Sequence, residues 1–285
     1  MANERVMELA DILQNKEQYA SAEEVSSRKS GYRKAALRIQ KQIGYGLDGV
    51  GSGLLLTPSG YFITNYHVLH NADKNIDIRI HGVLKNKKPF HTGLEKVVCI
   101  SKVYDLALAL CKIPEPLIGK LRESVPKIVL AKEQPRVGEE VRAYGFKEEA
   151  VEESQGKITD TTFFSIPQEI EDLMKSLKNG SMDHYDQKRK KHDATCITDC
   201  KAEQGWSGSP VIRETTGELL GITYCTTGYK EKKLDKLGFT SIKYVRGLLE
   251  EFVRSQGIDL PKSQEEKKED GLLKAIKGFI FELLK

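Results

Sequence analysis

Three side chains in this chain stand in settings that suit one kind of chemistry: Ser207 in "GWSGSP", His67 in "ITNYHVL" and Asp105 in "VYDLALAL". A serine hydroxyl becomes a nucleophile when a neutral imidazole can take its proton. A carboxylate must hold the far side of that imidazole, and backbone N–H groups must face the developing oxyanion. His67 falls just past a strand-like run and before a turn. Asp105 opens an alternating run that reads as a half-buried strand, where a carboxylate is shielded from water. Gly205, two residues before Ser207, lets the chain turn so that the N–H groups of Gly205 and Ser207 converge on one point. Such a set would carry out acyl transfer through a covalent acyl-enzyme.

Other chemistries fit less well. The chain order is His, Asp, Ser, whereas an α/β-hydrolase runs Ser, Asp, His and needs Gly-x-Ser-x-Gly opening a helix. Here Ser209 takes the fifth position, Pro210 follows, and the next run is strand-like. The upstream "GVGSG" lacks a following Lys-Ser or Lys-Thr and runs into a strand, which argues against a phosphate-binding loop. "ATCITDC" reads as a strand, so Cys196 and Cys200 lie about 13 Å apart, too far for a mutual disulfide or a shared zinc without a bend. No metal and no organic cofactor is expected. Five cysteines in 285 residues suit reduced thiols rather than a disulfide framework. The 45 basic and 41 acidic residues are spread along the chain, which forecasts a solvated mixed-charge surface and no nucleic-acid binding. The first twenty residues lack the apolar run of a secretory signal, and no stretch of about 18 apolar residues occurs. A soluble, cytoplasmic protein is the expectation.

The elements that must hold these groups are mostly strands. Residues 1 to about 20 carry Val6, Leu9, Ala10 and Leu13 at the spacing of one helical face, followed by a polar connector, "SAEEVSSRKSG". From about residue 38 short β-type runs recur, among them "GSGLLLTP", "NIDIRIHGVL", "KIVLA", "EEVRAYGF" and "ELLGITYCTT", with turn residues between many of them. That texture predicts an all-β barrel or sandwich. A polar, partly helical insertion occupies 167–193, "VRGLLEEFVRSQG" reads as a helix, and "LLKAIKGFIFELLK" ends the chain as an amphipathic segment. The expected organisation is an N-terminal helical extension and connector over 1–37, a catalytic domain over 38–256, and a charged linker with a C-terminal helix over 257–285. No internal repeat is evident.

Four segments, "GVGSGLLLTPSGYFITNYHVL", "VVCISKVYDLALALCKI", "TDCKAEQGWSGSPVIRETTGELLGI" and "LGFTSIKYVRGLLEEF", together resemble, in order, the protease domain of trypsin-like serine proteases of the HtrA/Deg type. The Ser-Gly-Ser-Pro-Val variant is also similar to bacterial glutamyl endopeptidases. The resemblance spans about 38–255 and implies the chymotrypsin-type order His, Asp, Ser on two six-stranded antiparallel β-barrels, with the active site in the cleft between them. It implies Ser207 as nucleophile, His67 as general base, Asp105 as the orienting carboxylate, and the N–H groups of Gly205 and Ser207 as oxyanion donors. The chain departs from that family's pattern: no PDZ domain is expected, with about 30 residues after the last barrel helix, and Trp206 stands beside the nucleophile where Asn is usual. The indole can wall the cleft or obstruct it.

By the same resemblance, the primary pocket is lined by Lys201, Ala202, Gln204, Thr223, Tyr224 and Cys225, with Glu203 beside them. Lys201 can attract an acidic side chain or extend to solvent. The expected partner is a protein or peptide substrate, and the expected activity a regulated intracellular serine endopeptidase. A catalytically silent protease-like binding module is the alternative, motivated by Trp206. The stretch "DQKRKKHD" is a solvated loop or a gating loop. The C-terminal segment, with Leu272, Ile276, Phe279 and Leu283 on one face, suits docking on the protein's own body or a second copy, a dedicated partner, or a membrane surface.

Overall fold

A computed structural model of the chain describes residues 2–15, 20–43, 46–70, 77–84, 88–147, 150–161, 195–201, 205–229 and 232–261. The 167–193 insertion and the C-terminal amphipathic segment lie outside these residues. The described strands close into two antiparallel barrels. The first contains β1 (Ala36–Ile43), β2 (Gly46–Leu55), β3 (Tyr61–Thr64), β4 (Ile78–Val83), β5 (Pro89–Ser101) and β6 (Leu106–Cys111), in the spatial order β1-β2-β3-β6-β5-β4. The second contains β7 (Glu140–Lys147), β8 (Ala150–Asp160), β9 (Thr195–Thr198), β10 (Pro210–Arg213), β11 (Leu219–Tyr229) and β12 (Lys232–Ser241), in the order β7-β8-β9-β12-β11-β10. Both barrels thus have the same strand order, the two-barrel all-β architecture that the resemblance implied. Closure leaves no unpaired sheet edge along the barrel walls.

Hydrophobic pattern explains most of the strands. In β4, Ile78 and Ile80 point inward while Arg79 points out, the period-two alternation of a half-buried strand. β6 departs from that expectation, since all six residues of "LALALC" are buried. A helix near the C-terminus of the described chain, Ile242–Ser255, packs against β5 and β6 and covers their outer side. The run "KIVLA" forms no strand. It lies in the connection between the barrels and makes a single parallel bridge, Leu130 to Leu219.

Two further expectations are corrected near the N-terminus. The helix α1 (Ala2–Gln14) forms as expected, burying Val6, Leu9, Ala10 and Leu13, but the polar "connector" is a second helix, α2 (Ala22–Ala35). Ser21 caps it: its hydroxyl accepts from the Glu24 N–H (3.2 Å), and the Glu24 carboxylate accepts from the Ser21 N–H (2.7 Å). This reciprocal box is encoded by the Ser-x-x-Glu spacing. α2 runs directly into β1, which the strand reading also missed. Short helices α3 (Tyr66–Leu69) and α4 (Glu115–Ser124) follow, and α5 is Ile242–Ser255. Arg246 of α5 donates to the Leu13 and Ala131 carbonyls, so α5 holds both the end of α1 and the connection between the barrels.

Charged side chains help tie α2 to the second barrel. Glu214 accepts from Lys29 of α2 (2.6 Å) and from Nε and Nη2 of Arg142 on β7 (both 3.0 Å). Burial pushes the Glu214 carboxyl up, but the Lys29 and Arg142 hydrogen bonds outweigh it and hold the group below its ordinary value. A depressed native pKa contributes stability that is present above the unfolded pKa and lost as pH falls through the native one. Glu214→Gln is therefore expected to cost about 1–2 kcal/mol at neutral pH, a drop of about 2–8 °C in melting midpoint. The difference from wild type should close as pH falls below the ordinary carboxylate range, which thermal melts across pH will show.

Candidate active site

The turn from β3 into α3 and the turn before β6 are joined by four hydrogen bonds. Asp105 has φ +51°, a left-handed conformation that Asp and Asn tolerate better than other side-chain-bearing residues. In that conformation its carbonyl accepts from Asn65 Nδ2 (2.9 Å) and from the Tyr66 N–H (3.2 Å). Its carboxylate faces the same turn: Oδ1 accepts from the His67 main-chain N–H (2.9 Å), and Oδ2 lies 2.7 Å from His67 Nδ1. Asp105 is 5% exposed, so this contact is desolvated and strong. An ionised carboxylate accepts at both oxygens, which leaves the proton on Nδ1 and the lone pair on Nε2. In that tautomer the imidazole can serve as a base at its outer nitrogen.

The other half of the site comes from the second barrel. The segment 205–209 turns tightly into β10, with Gly205 at φ +96° and Gly208 at φ +93°. Gly208 is required for a second reason: a Cβ there would lie 2.0 Å from the Ser52 carbonyl oxygen and 2.3 Å from Thr64 Oγ1. That close approach lets β2 reach the turn. The Ser52 N–H donates to the Ser207 carbonyl (2.7 Å), and the Ser52 hydroxyl donates to the Gly205 carbonyl (2.7 Å) while accepting from the Phe146 N–H (3.1 Å). Thr64, at the end of β3, donates to the Ser52 carbonyl (2.6 Å). An unbroken path of bonds thus runs from the turn that carries Ser207, through Ser52 and Thr64, to the turn that carries His67.

Ser207 is partly exposed, and its hydroxyl donates to the Tyr224 carbonyl at 3.4 Å. The N–H groups of Gly205 and Ser207 donate to no partner among the described residues. Two main-chain donors left open beside a serine hydroxyl can receive an oxygen that becomes negative during attack. The Trp206 side chain is 3% exposed and packs in the second barrel's core, with its five-membered ring against Gly145 of β7. A Cβ at Gly145 would lie 2.4 Å from that ring. The indole is part of the core and does not stand in solvent as an obstruction, which removes the reason for reading the chain as a blocked module.

The residues read as a pocket are dispersed in character. Lys201 is exposed, and its N–H donates to Ser154 Oγ (2.9 Å). Thr223 is buried with its hydroxyl on the Trp206 carbonyl and the Ser209 N–H. Tyr224 is buried and offers its carbonyl to Ser207. Ala202, Gln204 and the Cys225 side chain lie outside the described residues. Cys196 and Cys200 are both buried and in no disulfide, and burial pushes the Cys200 thiol up, away from the thiolate that metal binding or nucleophilic attack would need. Sequence reasoning missed Ser52 and Thr64. Their only signal was position, within strands flanking glycines in "GSG" and just ahead of His67.

The solved structures similar to this chain include the crystal structure of Deg5, with 19% sequence identity and a TM-score of 0.51, covering 74% of this chain and 88% of that one. Another is the crystal structure of the serine endoprotease from Yersinia pestis, with 19% identity and a TM-score of 0.53, covering 84% of this chain and 68% of that one. At such identity the likeness speaks for the fold. No curated protein matches the chain. The family model described as the trypsin-like peptidase domain matches residues 51–222, well over half of the 285 residues. With the paired barrels, the chain therefore belongs to the trypsin-like peptidase domain family.

Proposed function

We propose that this serine protease is an endopeptidase of the HtrA/Deg kind that cleaves polypeptides through an acyl-enzyme on Ser207. The observation that carries the reading is the double contact of one Asp105 carboxylate with His67, at the main-chain N–H and at Nδ1. That contact sets the tautomer in which Nε2 can accept a proton. In this reaction the Ser207 hydroxyl leaves the Tyr224 carbonyl, gives its proton to His67 Nε2 and attacks the peptide carbonyl. The carbonyl oxygen takes the negative charge against the Gly205 and Ser207 N–H groups. His67 then gives its proton to the leaving amine, and water repeats the sequence on the ester. Asp105 stays ionised and stabilises the imidazolium. None of these steps calls on a cofactor. The mostly buried cysteines Cys99, Cys111, Cys196 and Cys200, in no disulfide among the described residues, support a reducing, intracellular setting. There a regulated, narrow-specificity enzyme fits better than a digestive one.

The test is direct. The full chain is incubated with a fluorophosphonate probe and with a diverse peptide library, and products are read by mass spectrometry. Modification of Ser207 together with internal peptide cleavage is expected, and the cleaved sequences will define the pocket. Cleavage that persists after Ser207 is fully modified would sink the proposal, as would an unmodified Ser207 and an intact library; the latter result would leave the binding-module reading.

A further inference from the structure

The side chain of Thr223 holds the turn that carries Ser207 although it stands on a different strand. It is 1% exposed, and its hydroxyl donates to the Trp206 carbonyl (2.5 Å) while accepting from the Ser209 N–H (2.9 Å). Its main chain adds two more bonds to the same turn: the Thr223 N–H donates to the Ser209 carbonyl (2.8 Å), and the Thr223 carbonyl accepts from the Gly208 N–H (2.8 Å). The carbonyl of Trp206 and the N–H of Ser207 belong to one planar trans peptide and point in opposite directions. A hydroxyl that pulls the carbonyl into the barrel therefore turns the Ser207 N–H out of it. Among the described residues that N–H has no partner, and the Trp206 carbonyl has one other bond, from the Ser209 N–H (3.0 Å).

We infer that Thr223 is a positioning residue: its buried hydroxyl fixes the Trp206–Ser207 peptide and so aims the Ser207 N–H as an oxyanion donor. The inference rests on the reading of Ser207 as nucleophile for its kinetic consequence, though not for its geometric one. It moves Thr223 from the wall of the substrate pocket to the support of the turn. Ser52 complements it from the first barrel by holding the carbonyls of Gly205 and Ser207, so each carbonyl of the 205–207 stretch is tethered by one of two residues.

The experiment uses the full chain with Thr223→Val, which keeps the shape and removes the hydroxyl, and Thr223→Ser, which keeps the hydroxyl. Two quantities are read: kinact and KI for a fluorophosphonate, whose phosphoryl oxygen occupies the oxyanion position, and the amide shift and hydrogen exchange of Ser207 by NMR. Losing an oxyanion donor outright costs about 10²–10³ in rate, so a mis-aimed donor is expected to lower kinact roughly tenfold with KI unchanged. Thr223→Ser should recover most of that loss, and the Ser207 amide signal should move in the Val variant and return in the Ser variant. A loss confined to KI, a kinact within twofold of wild type, or a Ser207 amide signal that does not move would each overturn the inference. If wild type itself is not labelled, the nucleophile reading fails, and the amide measurement still decides whether Thr223 orients that peptide. Should Thr223→Val fail to fold, Thr223→Ala is read by the same two measurements.

Discussion

Ser207→Ala is expected to lower kcat by about 10⁶, His67→Ala by about as much, and the double variant by no more than either. The argument is one of joint action. Without Nε2 as acceptor, the Ser207 hydroxyl carries its proton into the transition state and is no better a nucleophile than water. Without the hydroxyl, the imidazole has nothing to activate at the right place. Each deletion therefore removes the whole covalent route. What survives is binding and the two main-chain donors, since alanine at 207 keeps the N–H, and that residue of catalysis is worth about 10³–10⁴ over the uncatalysed reaction. Stability should hardly change in Ser207→Ala, because among the described residues the hydroxyl makes a single long bond, 3.4 Å to the Tyr224 carbonyl. Turnover of the best peptide from the library, measured for all three variants beside their melting midpoints, checks both halves. Losses that multiplied in the double variant would mean that the two groups act independently.

What could be read from the sequence, and what could not, follows from how local each cause is. His67, Asp105 and Ser207 could be proposed from the sequence because the chemistry they would perform demands particular residue types in turns, and turns carry glycine, asparagine and proline as markers. Most strands were legible from their apolar runs. β6 was not fully so: "LALALC" alternates large and small apolar residues, which resembles a half-buried strand, yet α5 covers its outer side and all six residues are buried. α2 escaped because its only buried residues are Gly31, Tyr32 and Ala35 near its end, so no apolar stripe announces it. The Ser21–Glu24 box was its one local sign. The matching strand order of the barrels has no echo in the residues, since barrel closure constrains which positions are apolar far more than which apolar residue fills them. Thr223 is the extreme case. A threonine in a strand is ordinary, and its importance comes from a turn 14 residues earlier in the chain, a relation that only the paired geometry of β10 and β11 creates.

Asp105→Asn is expected to lower kcat by about 10⁴ while leaving the fold intact, and the two contacts of the carboxylate explain both parts. Asparagine is the other residue at home with φ +51°, so the backbone that directs the Asp105 carbonyl to Asn65 and Tyr66 is preserved. The carboxamide, unlike the carboxylate, has one acceptor and one donor end. The main-chain N–H of His67 cannot change its nature, so it claims the oxygen in the place of Oδ1. The NH₂ then falls where Oδ2 stood, against His67 Nδ1. Facing a donor, Nδ1 must present its lone pair, and the ring proton moves to Nε2. A base that already holds its proton on the side facing Ser207 cannot take another without becoming charged, and the group that would stabilise that charge is now neutral. Flipping the amide offers no escape, because it sets NH₂ against the main-chain N–H. The imidazole NMR signals should therefore report the proton on Nδ1 in wild type and on Nε2 in Asp105→Asn, with stability unchanged to within about 1 kcal/mol and a fluorophosphonate labelling rate that falls along with kcat. A variant that kept the wild-type tautomer yet lost activity would mean that the carboxylate serves through its charge rather than by holding the ring.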